Sequence, residues 1–350
     1  MTLLAIGTTV ITASQASSLH FTAATITATL TVTGADANLF WSDPITKATN
    51  DPDFVVPIGS TSSTGNFTYS STSSNVASID SSTGSITIHQ AGTTVLKVTQ
   101  AATSTHLEDS DEFLLTVTKP NPVISFDDLT KTYNDADFNL SATSSSTGTI
   151  TYSSSNTSVA TMSGSTVTIV GAGTSVITAS QAATTQYNAG TVTMTLTVLK
   201  DDPVISFGDY SKSFGDANFT ISASSSSTGT FTYSSNNSSV GTVSGNNVSV
   251  IGAGTALLTV TQAADSNYNA GTATSTLTVS KINPVISLSD QTKTYNDADF
   301  NLSATSSSGG TITYSSSDTS VATISGTTVT IVGAGTSVIT VSQAANTNYN

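Results

Sequence analysis

Apolar and polar residues alternate along most of this chain. In residues 122–202, Phe138, Leu140 and Ala142 alternate with Asn139, Ser141 and Thr143, and Ile150 and Tyr152 with Thr149, Thr151 and Ser153. Val167 and Ile169 alternate with Thr166 and Thr168, and Val192, Met194, Leu196 and Val198 with Thr193, Thr195 and Thr197. A period of two means strands with one buried and one wet face. Threonine on the wet face adds a β-branch that favours extended backbone. Gly148, Gly164, Gly171, Gly173 and Gly190 punctuate the runs where the chain must turn. The pattern predicts seven strands, at 122–126, 137–144, 148–155, 158–163, 165–170, 173–181 and 190–199. Seven short antiparallel strands in about 80–100 residues predict an all-β, immunoglobulin-like sandwich of two packed sheets.

The same pattern returns every 81 residues: NPVIS at 121–125 recurs as DPVIS at 202–206 and NPVIS at 283–287. GAGTSVIT at 171–178 recurs as GAGTALLT at 252–259 and GAGTSVIT at 333–340. Between 122–188 and 284–350, 57 of 67 positions are identical. A period this long is a whole small domain, so the chain reads as tandem immunoglobulin-like units. The edges fall at 34–118 (a divergent unit), 119–200 and 201–281, with 1–33 as the last strands of a partial unit and 282–350 as a unit lacking its last strand. TLLAIGTTVITASQA at 2–16 aligns with TIVGAGTSVITASQA at 168–182, so the N-terminus is repeat sequence and not a signal peptide. The joints LKDDPVIS (199–206) and SKINPVIS (280–287) run strand to strand with almost no linker, which predicts semi-rigid packing of neighbours. Both ends falling inside units make the chain read as a window of a longer polypeptide. Strand donation by residues 1–33 to the C-terminal unit of another copy is the competing reading, since Ile26, Ala28, Leu30 and Val32 match Val192, Met194, Leu196 and Val198.

Charge narrows the partners. Twenty-two acidic residues face eight lysines and no arginine, a net charge of −14. Such a chain repels phosphate backbones, so nucleic acid is excluded as a partner. No apolar stretch reaches the roughly 18 residues that a membrane helix needs, so no membrane insertion is expected. There is no cysteine, so each unit must hold together by its core alone.

The chemistry-bearing residues are few. The only histidines, His20, His89 and His106, do not recur in the later units, and no G-x-S-x-G elbow accompanies the serines, so no enzyme activity is expected. One acidic motif does recur, as NDPDF (50–54), NDADF (134–138), GDANF (215–219) and NDADF (296–300). Asp135, Asp137, Asp297 and Asp299, with Asp201 and Asp202 at a joint, offer oxygens of the kind Ca²⁺ takes. The alternative is a turn, because Asp and Asn bond their own backbone and accept left-handed geometry. One D-x-D supplies two carboxylates, so no cofactor is expected and Ca²⁺ is the weaker reading. Lys131, Lys212 and Lys293 recur, as do Lys119, Lys200 and Lys281, but the last strand offers no Asn for a Lys–Asn crosslink. Trp41, the only tryptophan, reads as a buried or joint-packing residue or as an exposed sugar contact.

SSSNTSVATMSGSTVTIVGAGTSVITASQA (153–182) resembles the bacterial Ig-like repeats of surface proteins, of the group 2 type found in intimin and invasin relatives. TKTYNDADFNLSA (130–142) resembles a related repeat of large secreted proteins. That family often carries Trp before the SSSN segment, where this chain has Tyr69, Tyr152, Tyr233 and Tyr314. The resemblance implies an extracellular or cell-surface location and a non-enzymatic structural role in a filament, fibre or adhesin stalk. The partners would be adjacent repeats or neighbouring copies. A glycan- or protein-binding array acting by avidity and a viral or phage fibre segment on a virion surface are the alternatives.

Overall fold

A computed structural model describes residues 1–350. Every regular element is a β-strand. The chain divides into two compact units: Met1–Leu129 with Ala136–Thr168 and Thr174–Thr197, and Thr130–Asp135 with Ile169–Gly173 and Val198–Asn350.

The first unit begins with β1 (Gly7–Gln15) and β2 (Ala24–Val32), an isolated antiparallel pair running from Gly7↔Val32 to Gln15↔Ala24. Residues 34–118 then form a sandwich. One sheet has the order Ile45–Ala48, Asp109–Thr118, Gly92–Gln100, Phe67–Ser71, and the other Phe54–Val55, Ser85–Ile88, Ala77–Ile79. The alternation does what the pattern requires: Leu96, Val98, Leu115 and Ile86 are fully buried between the sheets. Trp41 lies in this core, against Phe113 at 4.6 Å and Tyr69 at 5.6 Å, with Nε1 donating to the Val56 carbonyl at 2.8 Å. Its buried reading therefore stands, and a sugar contact does not.

The second unit repeats the plan over 201–281. Its four-stranded sheet has the order Tyr210–Ser213, Gly271–Ser280, Gly254–Gln262, Phe231–Ser235. Its three-stranded sheet has the order Phe219–Thr220, Asn247–Val250, Gly241–Ser244. Ile221, Val248, Leu258 and Leu277 close the core. The chain is thus all-β, with tandem immunoglobulin-like sandwiches.

Two details differ from the pattern-based expectation. The expected strand 137–144 is two short strands, Phe138–Asn139 on Thr166–Ile169 and Thr143–Ser144 on Ile124–Ser125. Between them the Ala142 amide donates to the Tyr152 hydroxyl at 2.9 Å, so a side chain replaces the ladder while the chain changes sheets. The strand Leu129–Thr132 was not anticipated. Its counterpart Tyr210–Ser213 pairs parallel with Gly271–Ser280, and a parallel neighbour distant in sequence leaves no hairpin signature.

In 282–350 the three-stranded sheet is complete, but no strand corresponds to Gly271–Ser280. Both segments that would flank such a strand lose regular structure. Residues 291–294 are not a strand, and the strand Ile339–Gln343 lacks the four residues that its counterpart Gly254–Gln262 has at its start.

Candidate functional site

The recurrent acidic motif is a turn. Its first residue has positive φ, 71° at Asn134, 87° at Gly215 and 74° at Asn296, a conformation that Asn and Gly accept at low cost. The next residue closes the turn on itself: Asp135 Oδ2 accepts from the Thr132 amide at 2.9 Å, and Asp297 Oδ2 from the Thr294 amide at 2.9 Å. Asp51 and Asp216 do the same with Ala48 and Ser213. The second carboxylate turns elsewhere, since Asp137 Oδ2 accepts from Thr168 Oγ1 at 2.9 Å, and Asp299 is exposed. Asp201 Oδ2 accepts from Asn134 Nδ2 at 3.0 Å, and Asp202 Oδ1 from Asn269 Nδ2 at 2.8 Å. No three of the His, Cys, Asp or Glu side chains gather as a metal-ligating group.

What these turns build is a seam. The turns at Thr49–Asn50, Tyr133–Asn134 and Phe214–Gly215 each meet a short Asn/Gln-Tyr-Asn loop one repeat further on. Within the second unit, the Tyr133 ring packs edge-on against Tyr268 at 5.4 Å, and Asn134 Nδ2 donates to the Tyr268 hydroxyl at 3.0 Å. The Ala172 amide donates to Asn267 Oδ1 at 3.0 Å. The next seam repeats the arrangement, with Phe214 against Tyr349 at 5.6 Å and the Ala253 amide on Asn348 Oδ1 at 2.8 Å. In the first unit, the Thr49 hydroxyl donates to the Gln186 carbonyl, and Asn50 Nδ2 lies 3.5 Å from the Tyr187 hydroxyl. The Ile6 amide likewise donates to the Ser104 carbonyl at 2.8 Å. Turn residues 130–135 and loop residues 169–173 group with the second unit, where their seam partners lie. Tyr295, which corresponds to Tyr133 and Phe214, is 54% exposed.

The docking loop is tied down at one position in three chemical ways. Thr184 Oγ1 accepts the Tyr187 amide, Asp265 Oδ1 accepts the Asn267 and Tyr268 amides, and Asn346 Oδ1 accepts the Asn348 and Tyr349 amides. Amide hydrogen bonds, foremost from Thr228, hold the Asp265 carboxyl well below the usual range. A carboxyl whose folded pKa is depressed stabilises the fold above the unfolded value near 4 and loses that contribution as pH falls toward the folded value. Exchange protection of Asn267 and Tyr268, taken against the intrinsic rate at each pH, should therefore fall below about pH 4. That of Tyr187, held by a hydroxyl, should stay flat over the same range, and a parallel loss of protection in both loops would overturn the assignment.

The remaining candidates are structural. Lys212 and Lys293 lie over the rings of Phe219 and Phe300 at 4.7 and 4.8 Å. Lys119, Lys200 and Lys281 donate to the carbonyls of Thr184, Asp265 and Asn346, at the start of each docking loop. One Ser–His contact escaped the sequence reading: Ser78 Oγ lies 2.8 Å from His89 Nε2 across paired strands, exposed, with no carboxylate bonded to the other ring nitrogen. The Gln/Asn-Tyr-Asn loops, which carry one half of the seams at Thr49, Tyr133 and Phe214, also went unrecognised. Their signal was available, because QYN at 186–188 and NYN at 267–269 and 348–350 keep the 81-residue period.

No protein-family model matches the chain, and no curated protein matches it. Among solved structures, the chain is similar to an N-cadherin fragment from Drosophila at 12% identity and a TM-score of 0.27, covering 69% of this chain and 98% of that one. It is similar to an I-band fragment of titin at 11% identity and a TM-score of 0.29, covering 71% and 99%. Domains 4–9 of the surface layer protein SbsC match at 14% identity and a TM-score of 0.24, covering 89% of this chain and 64% of that one.

Proposed function

We propose that this chain is a non-enzymatic structural segment of a long extracellular filament, fibre or adhesin stalk, of the bacterial group 2 Ig-like type, in which the repeats act as a semi-rigid spacer. The observation that carries this reading is the seam. The junctions at Tyr133 and Phe214 are built from residues inside the repeat, an aromatic and an Asn or Gly on one side and an Asn-Tyr-Asn loop on the other, rather than from a flexible linker. A hydroxyl-rich surface with a charged fraction of 9% supports a place outside the cell, at a cell or virion surface. The partners in this reading are adjacent repeats or further copies. No helix is long and apolar enough to cross a membrane.

The test removes one seam and leaves its neighbours intact. Tyr268→Ala should widen the distribution of distances between spin labels placed in 119–200 and 201–281. It should leave the exchange protection of the two sandwich cores unchanged, because Tyr268 lies in a loop and outside the core of its own repeat. An unchanged distance distribution would show that the seam does not limit motion, and the spacer reading would fall.

A further inference from the structure

The wet face of the four-stranded sheet in 201–281 carries a depression of 400 Å³, lined by Asn236, Asn237, Thr255, Leu257 and Thr276. Strand register builds it. Leu257 stands opposite Thr276 on the strand Gly271–Ser280. On its other side Asn236, just past the strand Phe231–Ser235, donates its amide to the Leu257 carbonyl at 3.0 Å and accepts the Leu257 amide on Oδ1 at 2.8 Å. Three neighbouring strands thus set Asn236, Leu257 and Thr276 in one row, about 4.8 Å apart. Because Oδ1 is held by that amide, the Asn236 Nδ2 group is left to solvent, and its two N–H groups have no acceptor within the chain. The Thr255 and Thr276 hydroxyls are exposed and likewise unbonded within the chain. The row ends at Asp209, whose Oδ1 accepts the Thr276 amide at 2.6 Å.

The preceding repeats lack this row. At the same position 81 residues earlier stands Ser155, whose hydroxyl accepts the Val176 amide at 3.0 Å and which has no side-chain amide to donate. In 34–118 the place is taken by Thr72, whose hydroxyl accepts the Val95 amide at 3.0 Å. There Leu114 stands opposite Val95, where Thr276 stands opposite Leu257. Asn236 thus makes the backbone bond that a serine or threonine makes elsewhere and adds a pair of donors beyond it.

The lining is uncharged. Asn236 Nδ2 donates, the two threonine hydroxyls donate or accept, and Leu257, 41% exposed, supplies an apolar floor between them. A sugar ring presents the same mixture, with hydroxyls at its rim and C–H groups on its face. No lysine lines the depression to pair with an acidic sugar, while Asp209 at the end of the row and the net charge of −14 repel one. The hydroxyl surface continues along the same two strands, with Thr274 opposite Thr259 and Thr272 opposite Thr261. We infer that this face binds a neutral polysaccharide, one sugar of which sits over Leu257 while the polymer runs along the strand Gly271–Ser280. Asn236 and Thr276 take hydroxyls on the two sides of that sugar, and Thr272 and Thr274 meet the sugars that follow. This goes beyond the spacer reading and does not depend on it.

The test titrates the full chain with maltohexaose, laminarihexaose, mannohexaose and chitohexaose at millimolar concentration and follows backbone and side-chain amide resonances. Hexagalacturonate is the anionic control. At least one neutral hexaose is expected to shift the Asn236 side-chain amide together with the Leu257 and Thr276 backbone amides, and hexagalacturonate to shift none of them. Asn236→Ser should weaken binding about tenfold or more. It should leave the sheet intact, because Ser155 makes the same backbone bond in 119–200. Thr242→Asn, on the three-stranded sheet of the same repeat, should leave binding within about twofold. Ser155→Asn should give the 119–200 repeat a matching response at Val176 and Thr195. No shift with any neutral hexaose, equal shifts with hexagalacturonate, binding that survives Asn236→Ser, or no response in the Ser155→Asn chain would overturn the proposal.

Discussion

Leu258→Ala is expected to lower the stability of the 201–281 repeat by about 3–5 kcal/mol, and Ile339→Ala to cost less than half as much in the last repeat. The two residues hold the same position 81 apart. Leu258 is fully buried in one core cluster with Leu277 of the neighbouring strand, Ile221 and Val248. Ile339 has no strand paired beside it on that side and is only half-buried, at the edge of a 310 Å³ cavity lined by Phe300, Leu302, Val329 and Ile331. Truncation at Leu258 removes transfer free energy and leaves a new void, whereas truncation at Ile339 enlarges a space that already exists. Tandem repeats do not unfold in one step, so the measurement is local: exchange protection of the strands Phe231–Ser235 and Ile312–Ser316. Equal losses would show that the last repeat is as well packed as its neighbour.

The second large effect should come from a glutamine. Gln181 is 3% exposed and reaches from the end of its strand into the turn before Ile150–Ser154. Its Nε2 donates to the Ser146 and Gly148 carbonyls at 3.0 and 2.8 Å, and its Oε1 accepts from the Ser144 hydroxyl at 2.6 Å. Gln181→Leu strands three polar partners and should cost about 2–4 kcal/mol. Gln262 makes the same two donations to Ser227 and Gly229, but its Oε1 has no partner. Gln262→Leu should therefore cost about 1 kcal/mol less than Gln181→Leu. Thermal unfolding of the two variants, followed by exchange at the Thr149 and Thr230 amides, separates them, and identical losses would mean that the Ser144 bond contributes nothing. The clamp also explains a glycine. A Cβ at Gly148 or Gly229 would overlap the carbonyl of Ala182 or Ala263, so the turn passes at a distance that only glycine permits.

The fold was legible because its long strands alternate strictly. Val192 to Val198 and Val167 to Ile169 needed only period two to be placed, and the 81-residue recurrence fixed how often the plan repeats. What escaped was what alternation does not encode. The break at Ala142 comes from a tyrosine hydroxyl ten residues away, and Tyr210–Ser213, the counterpart of Leu129–Thr132, finds a parallel partner nearly seventy residues later. The acidic motif was noticed for its charge, yet its use follows from the backbone. Positive φ at Asn134 and Asn296 shapes the turn, and Asp135 and Asp297 spend their carboxylates closing it. The chemistry of the seam lies in Tyr133, Phe214, Tyr268 and Tyr349, residues that a search for charge and nucleophiles passes over.

The repeats from residue 119 onward carry both halves of the seam, the turn and glycine loop for one neighbour and the Gln/Asn-Tyr-Asn loop for the other. Any of these repeats therefore matches any other without a new joint having to arise. In a gene, misaligned crossover between such repeats would add or remove whole 81-residue blocks and leave every remaining junction chemically intact. Copy number is thus the quantity that this architecture leaves free to vary, while single substitutions at a seam stay confined to one junction.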